Sequence, residues 1–342
     1  MVATLQWQRE YVTAAGSPIA ALVLQSIIDD LESGGGLAHI LPATTRFGDL
    51  LGLRVMAAVH RLALDRQAPG VALHLPTLGG DGPQGRSAQA RFGREVVDAL
   101  LGHVDGLGGY LGRTPQTNET GRAVLLRIAL AQEDPRQPVF LRELGASAGL
   151  NLRADHLPGL SAAEAGPLPP VADRVGCDVD PVDVGTVSGR SLLSSYVWVD
   201  DVERFDRLKH AFDVADAIPA TVVRSDAADF AESLRPSIGA TTVVWHSAMW
   251  VYLPEETRRR AYAGIHHAGA LAGASAPVSH VSWEWHGSTE GQDTFSLVRR
   301  RWSGGLDDGR PCLLATGLSH GQDVQVVDGA PWLDRDPLVT WA

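Results

Sequence analysis

The hydrophobic positions of this 342-residue chain change rhythm near Pro138. Upstream, Val12 to Leu31, Leu50 to Leu64 and Phe92 to Leu101 set apolar residues three and four apart, the spacing of one helical face. Breakers separate these segments: Ser33-Gly34-Gly35-Gly36, Pro69-Gly70, and Gly79 to Gly85 with its Asp81-Gly82-Pro83 core. A polar patch, Thr114 to Glu119, leads into a further helix over Arg122 to Gln132, with cap-type chemistry at Thr117, Thr120 and Gly121. Downstream, short β-branched runs alternate with helical ones. Val139 to Leu144, Arg174 to Val179, Thr221 to Arg224, Thr241 to Trp245 and Val278 to Trp285 read as strands, with helices over Asp200 to Ala217 and Pro254 to Ala268. Such alternation predicts an α/β fold with a mostly parallel sheet and right-handed crossovers. Thr294 to Trp302 and Cys312 to Gly317 leave no room for a helix between them and predict an antiparallel C-terminal hairpin. The expected organisation is a helical N-terminal cap over residues 1–132 and an α/β domain over 133–342.

Composition narrows the partners. Hydrophobic residues make up 44% and charged ones 20%, as in ordinary globular proteins. With 29 basic and 40 acidic residues the formal charge is -11, which argues against a nucleic-acid partner. Arg258-Arg259-Arg260 and Arg299-Arg300-Arg301 read as solvated faces. Cys177 and Cys312 are too few for a disulfide framework and lack metal-ligand spacing. The first residues show no basic-then-apolar order of a secretory signal, and apolar runs are too short to span a bilayer. The expectation is a cytoplasmic protein with no membrane partner, acting on a small molecule. Oligomeric state is not legible.

Ligands of a doubly wound sheet bind beyond the carboxyl ends of its strands. Each predicted strand ends in polar chemistry: Glu143 and Gly145, then Asp178 or Asp180, then Asp226, then His246-Ser247, then Glu284 and His286. The first of these ends reads Glu143-Leu144-Gly145-Ala146-Ser147-Ala148-Gly149, a strand running through a glycine loop into a predicted helix. This stretch resembles the cofactor loop of class I S-adenosylmethionine-dependent methyltransferases. More closely, E-L-G-A-S-A-G-L-N-L, V-G-C-D-V-D-P-V-D-V and the upstream Q-T-N-E-x-x-R resemble the DUF2332 family over essentially the whole chain.

The methyltransferase resemblance implies a Rossmann-like, seven-stranded sheet and S-adenosylmethionine as cofactor. It implies that Glu143 orders the loop, that Gly145, Ser147, Gly149 and Asn151 line it, that Asp178 holds ribose, and that Asp226-Ala227 reads adenine. His246 falls where cofactor, substrate and catalytic groups meet, and is the candidate base, with Glu119 or Glu284 to orient it. Thr117, Asn118, Arg122, Ser247 and Trp250 are candidate substrate contacts. Trp283 and Trp285 flank Glu284 and suit an aromatic wall for a cationic sulfonium or amine. The chain departs from the family pattern at Ser147, where a glycine is usual, and in the long Gly149-to-Asp178 crossover, whose Pro158-to-Pro170 stretch predicts an extra loop.

Alternatives remain at this stage. Gly145-Ala146-Ser147-Ala148-Gly149 also spells a serine-hydrolase elbow, with Ser147, Asp293 and His320 in triad order. Against it stand the lack of an H-G-G-G segment, the helical region upstream, and an ionisable Glu143 on a buried-type strand. A third reading is a nucleoside-binding domain without catalysis. Asp226 could equally start a helix, and His246 could be a satisfied core residue. His266-His267 point to different helix faces and make no metal site.

Overall fold

The computed structural model describes residues 1–42, 50–158, 166–289, 292–334 and 336–338, with side chains omitted at 286–289 and 292–293. The side chains of His286 and Asp293, and most of the expected 158–170 loop, therefore lie outside the described residues. The chain forms two compact units, Met1–Thr117 with Asp183–Lys209, and Asn118–Val182 with His210–Ala342.

The first unit is helical: α1 (Val2–Ala14), α2 (Pro18–Glu32), α3 (Leu51–Leu64), α4 (Pro69–Ala72), α5 (Gly85–Gly102) and α6 (Val104–Leu111). The single helix expected from Val12 is broken at Gly16, whose φ is +82°. Pro18 explains the break, because it lacks the amide an interior helical position needs but fits the first turn of α2. Leu5, Val23, Leu24, Ile27, Val55, Val59, Phe92, Val96 and Leu100 are buried in one core. The Asp183–Lys209 insertion brings α8 (Val187–Ser195), capped by Thr186, into this unit. Within it, Asp200 accepts the Ile19 amide at 2.7 Å. His60 is buried with Nδ1 3.0 Å from the Val197 carbonyl and Nε2 3.0 Å from Thr77 Oγ1.

The second unit carries α7 (Ala123–Leu130) and then the sheet: β1 (Val139–Leu144), β2 (Val171–Asp178), β3 (Thr221–Arg224), β4 (Thr241–Ser247), β5 (Val278–Thr289), β6 (Gln292–Trp302), β7 (Cys312–Gly317) and β8 (Gln325–Val326). Helix α9 (Val202–Ala217) holds the boundary between units; α10 (Ala227–Ser233) and α11 (Glu255–Ala270) fill the later crossovers. The eight strands lie in the order β3-β2-β1-β4-β5-β6-β7-β8. Strands β1 to β5 pair in parallel and β5 to β8 antiparallel. The fold is thus α/β with an antiparallel C-terminal extension, as the alternation predicts; the short β8 adds one strand to the seven expected. The β6–β7 hairpin exists, and β6 also pairs along β5, because no helix intervenes to carry the chain back across the sheet.

One expected element is reduced. The helix predicted after the β1 loop is a single 3-10 turn, Asn151–Arg153. Gly149 at φ +70° directly precedes it, and Asn118 takes the amides of Ala148 and Leu150, so side-chain bonds replace a helical ladder here. The chain leaves β1 toward β2 in one direction and returns to place β4 on its other side. That reversal puts the topological switch point at the carboxyl ends of β1 and β4.

Candidate functional site

The loop after β1 is held from three sides. Its turns need left-handed backbone: Gly145 at φ +66°, Ser147 at +55° and Gly149 at +70°. Glycine adopts this at little cost, whereas a side chain at Ser147 is strained there, a cost tolerated mostly at functional positions. Added Cβ atoms would meet the Met249 side chain at 3.2 Å from Gly145 and Val222 at 2.8 Å from Gly149. From the end of β2, Asp178 Oδ2 accepts the Ser147 amide at 2.8 Å, and Oδ1 accepts that of Asp180 at 2.9 Å. From upstream, Asn118 Oδ1 accepts two loop amides, and the Asn151 amide group donates to the Glu119 carbonyl at 3.3 Å. Asn118 itself sits at φ +33°.

Glu143 lies beneath this loop, buried. Removal from water, and then the negative charge of Asp178, push its carboxyl well above the ordinary glutamate value, while Trp245, Arg122 and Arg153 pull the other way. Cys177 beside it is pushed up to about 12 by burial, so its thiol is inert. Glu143 Oε2, Ser147 Oγ and Asn151 Oδ1 are buried and make no hydrogen bond among the described residues. Orphaned polar atoms are uncommon in a folded interior, and three around one strained loop fit a polar ligand rich in hydroxyl and amino groups. These acceptor oxygens therefore fit the hydroxyl and amino donors of the nucleoside cofactor that the resemblance implies.

Asp226 caps α10, accepting the Asp229 amide at 2.8 Å, with Ala227 buried behind it. The Ser225 amide donates to the Asp178 carbonyl, which ties this end of β3 to the same rim. At β4 the picture differs from expectation. His246 is fully buried, with Nδ1 2.7 Å from Glu284 Oε1 and Nε2 3.0 Å from His280 Nε2. Glu284 also accepts the Met249 and Trp250 amides at 3.2 Å. Trp250 is buried and stacks on His246 at 4.8 Å between ring centres. With both nitrogens engaged and no exposed surface, this imidazole is not open to a substrate. His280 is held well below the usual imidazole value by burial, then by Arg300, His246 and His266. Its Nδ1 is buried and makes no hydrogen bond among the described residues.

Upstream of α7, Glu119 caps the 3-10 turn Thr120–Arg122 through the Gly121 amide at 2.9 Å. Arg122 donates to the Ser319 carbonyl at 2.9 Å and to the Ser247 carbonyl at 3.2 Å. Ser247 is half-buried at the end of β4, next to Ala248 at φ +48°. The second unit therefore joins Glu143, Gly145, Ser147, Gly149, Asn151, Asp178, Asn118, Glu119, Arg122 and Ser247 around one switch point. Thr117 belongs to the helical unit. Sequence reasoning missed His280 as the partner of His246 and missed the approach of His320 to Glu119, at 3.4 Å. The two glycines that let those turns meet, Gly121 and Gly321, were the available signal.

A family described as "Uncharacterized protein conserved in bacteria (DUF2332)" matches residues 2–325. The chain belongs to the DUF2332 family. Among solved structures this DUF2332 protein is similar to the sugar N-methyltransferase KedS8 from Streptoalloteichus, at 12% identity and TM-score 0.24, covering 64% of this chain and 73% of that one. It is also similar to DesVI from Streptomyces venezuelae, at 12% identity and TM-score 0.26, covering 66% and 79%. No curated protein matches the chain. No helix of the described residues is long and apolar enough to cross a membrane. Among the described residues no group of three or more His, Cys, Asp or Glu side chains could hold a metal ion.

Proposed function

We propose that this protein is a cytoplasmic S-adenosylmethionine-dependent methyltransferase acting on a small molecule, without nucleic-acid or membrane partners. One observation carries the reading: a left-handed glycine loop at the switch point, with three buried polar atoms around it that lack partners. Gly145 and Gly149 supply the left-handed turns that shape this loop, and a Cβ at either would press on Met249 or Val222. Asp178 accepts the Ser147 and Asp180 amides, which holds its carboxylate at the end of β2, where we assign it to the ribose hydroxyls. Asp226 and Ala227 stand at the neighbouring strand end for adenine. Glu143 lies beneath the loop as a carboxyl that a cationic ligand would ionise. When bound, the cofactor supplies an electrophilic methyl group; the protein contributes alignment of the acceptor against it. Asn118, Arg122 and Ser247 are the residues we assign to the acceptor side.

Equilibrium dialysis with labelled S-adenosylmethionine tests this reading. Retention by the wild type and loss of about ten-fold or more in affinity for Asp178→Ala are expected. Equal retention by both would remove Asp178 from the site. One observation favours a second reading: Ser147 has the strained backbone of a nucleophile elbow. Its Oγ is nevertheless buried and bonded to no imidazole. Covalent labelling of Ser147 by a fluorophosphonate would establish the hydrolase reading; an unlabelled serine is the expected result.

A further inference from the structure

The carboxylate that pairs with Arg300 comes from the C-terminal tail and not from the sheet. Arg300 on β6 is fully buried; its Nε donates to Asp336 Oδ2 at 2.7 Å, and its Nη2 donates to Oδ1. Among the described residues Asp336 is the one carboxylate in contact with it. The Tyr262 hydroxyl, on α11, donates to Oδ2 at 2.8 Å, and Oδ1 also accepts the Leu338 amide at 2.9 Å. That last bond turns the chain inward. Leu338 is 5% exposed and joins the core that α10 and α11 share with the sheet. Upstream, the Leu313 amide donates to the Pro331 carbonyl and the Leu333 amide to the Pro311 carbonyl, so the tail is fixed beside β7 before it reaches Arg300.

The face under this tail is polar. In the β5–β6 register His280 stands opposite Arg300, Ser282 opposite Val298 and Glu284 opposite Ser296, and alternation puts them all on one side of the sheet. His246 joins the row from β4 through its contacts with Glu284 and His280. A cavity separates row from tail, lined by Ser282, Glu284 and Ser296 on one side and by Pro337 and Leu338 on the other. The row is incompletely bonded: Arg300 Nη1 and His280 Nδ1 are buried and make no hydrogen bond among the described residues. Two opposed terms therefore meet at the tail. A buried guanidinium needs the Asp336 charge, and burial of Leu338 adds to the docking. The orphaned nitrogens gain water when the tail leaves. Opposed terms of this kind let a segment open as a unit while the rest of the fold stays closed.

We propose that Asp336–Leu338 is a strap whose release opens the Glu284–His246–His280 row to reactants, so that the sealed His246 imidazole is its latched state. Opening belongs to the tail itself; only the use of His246 as a base once open rests on the methyl-transfer reading.

Diethyl pyrocarbonate, which acylates accessible imidazoles, reads the strap on the full-length protein without cofactor, with peptide mass spectrometry locating each product. A buried group is labelled through opening, so its rate follows the open population. Asp336→Asn, which removes the charge facing Arg300, is expected to speed labelling of both His246 and His280 at least about ten-fold. Tyr262→Phe removes one hydrogen bond and leaves the ion pair, and is expected to speed both about two- to five-fold. It decides alone if Asp336→Asn does not fold. His60, buried in the helical unit, and maleimide labelling of Cys177, buried at the end of β2, are expected to stay within about two-fold of wild type. Unchanged protection of His246 and His280 overturns the strap. So does equal opening of Cys177, which makes the tail a general stabiliser of the unit. The same samples are titrated with S-adenosylhomocysteine. If the wild type binds none, the methyltransferase reading fails, and the labelling series still judges the strap by itself.

Discussion

Of the carboxylate–imidazole pairs in the second unit, Glu284–His246 and Glu119–His320 stand in contrasting surroundings. Glu284–His246 lies between β4 and β5, with Trp250 stacked on the ring and His280 on its far nitrogen. Glu119 and His320 lie on two turns that press together, with a 24% exposed imidazole 3.4 Å from the buried carboxylate. The closed pair is the shorter contact, 2.7 Å against 3.4 Å, and of the two it is the one that forms a hydrogen bond. Its imidazole is fully buried, and a base must reach its substrate before its strength matters. The closed pair fixes the turn after β4; the other lies where the turns at Gly121 and Gly321 press together.

The largest effect expected from this contrast is on the closed pair. Glu284→Ala strands the His246 ring and the Met249 and Trp250 amides, and is expected to cost about 3–5 kcal/mol in urea unfolding. Stabilities within 1 kcal/mol of wild type would show that the pair is not structural. Acid sensitivity follows next. His280 is held well below the ordinary imidazole value, so below about pH 6.5 the unfolded chain takes the extra proton and the folded one does not. Stability is therefore complete above that window and falls as the pH drops through it. His60, lowered to about 4 by burial, acts with the same sign and contributes on the order of 3 kcal/mol across its window. His280→Gln is expected to flatten part of the stability–pH curve and leave the His60 part.

Smaller effects sharpen the loop side. Gly149→Ala places a Cβ 2.8 Å from the Val222 side chain at φ +70°, and is expected to cost about 1–3 kcal/mol by chemical denaturation. Ser147→Gly is expected to act in two directions. Relief of backbone strain and of a buried hydroxyl without a partner stabilises the free protein by about 0.5–1 kcal/mol, while cofactor affinity falls several-fold. Parallel loss of both would place Ser147 outside the ligand contacts.

Much of this was legible in the residues. The β1 loop, the acids after β2 and β3, and the alternation that builds a parallel sheet are local patterns, and they appear where the spacing puts them. The helix after β1 failed because its register depended on Asn118, which takes the Ala148 and Leu150 amides from outside the segment. His246 could be placed at a strand end but not judged open or closed, because burial is set by Trp250, Glu284 and His280 on later turns and strands. The Glu119–His320 pair is the clearest case of what spacing cannot reveal. Its partners come from opposite ends of the second unit, and they meet only because Gly121 and Gly321 carry no side chains. The helical Asp183–Lys209 insertion has the same character: nothing in its periodicity says with which unit it packs.

The central claim is that the β1 loop binds a nucleoside sulfonium cofactor, and calorimetric titration of the wild-type protein with S-adenosylmethionine and S-adenosylhomocysteine tests it most directly. Saturable binding of both, with a Kd on the order of micromolar and lost in Asp178→Ala, is the predicted result. No heat of binding from either compound at about 1 mM would contradict the account.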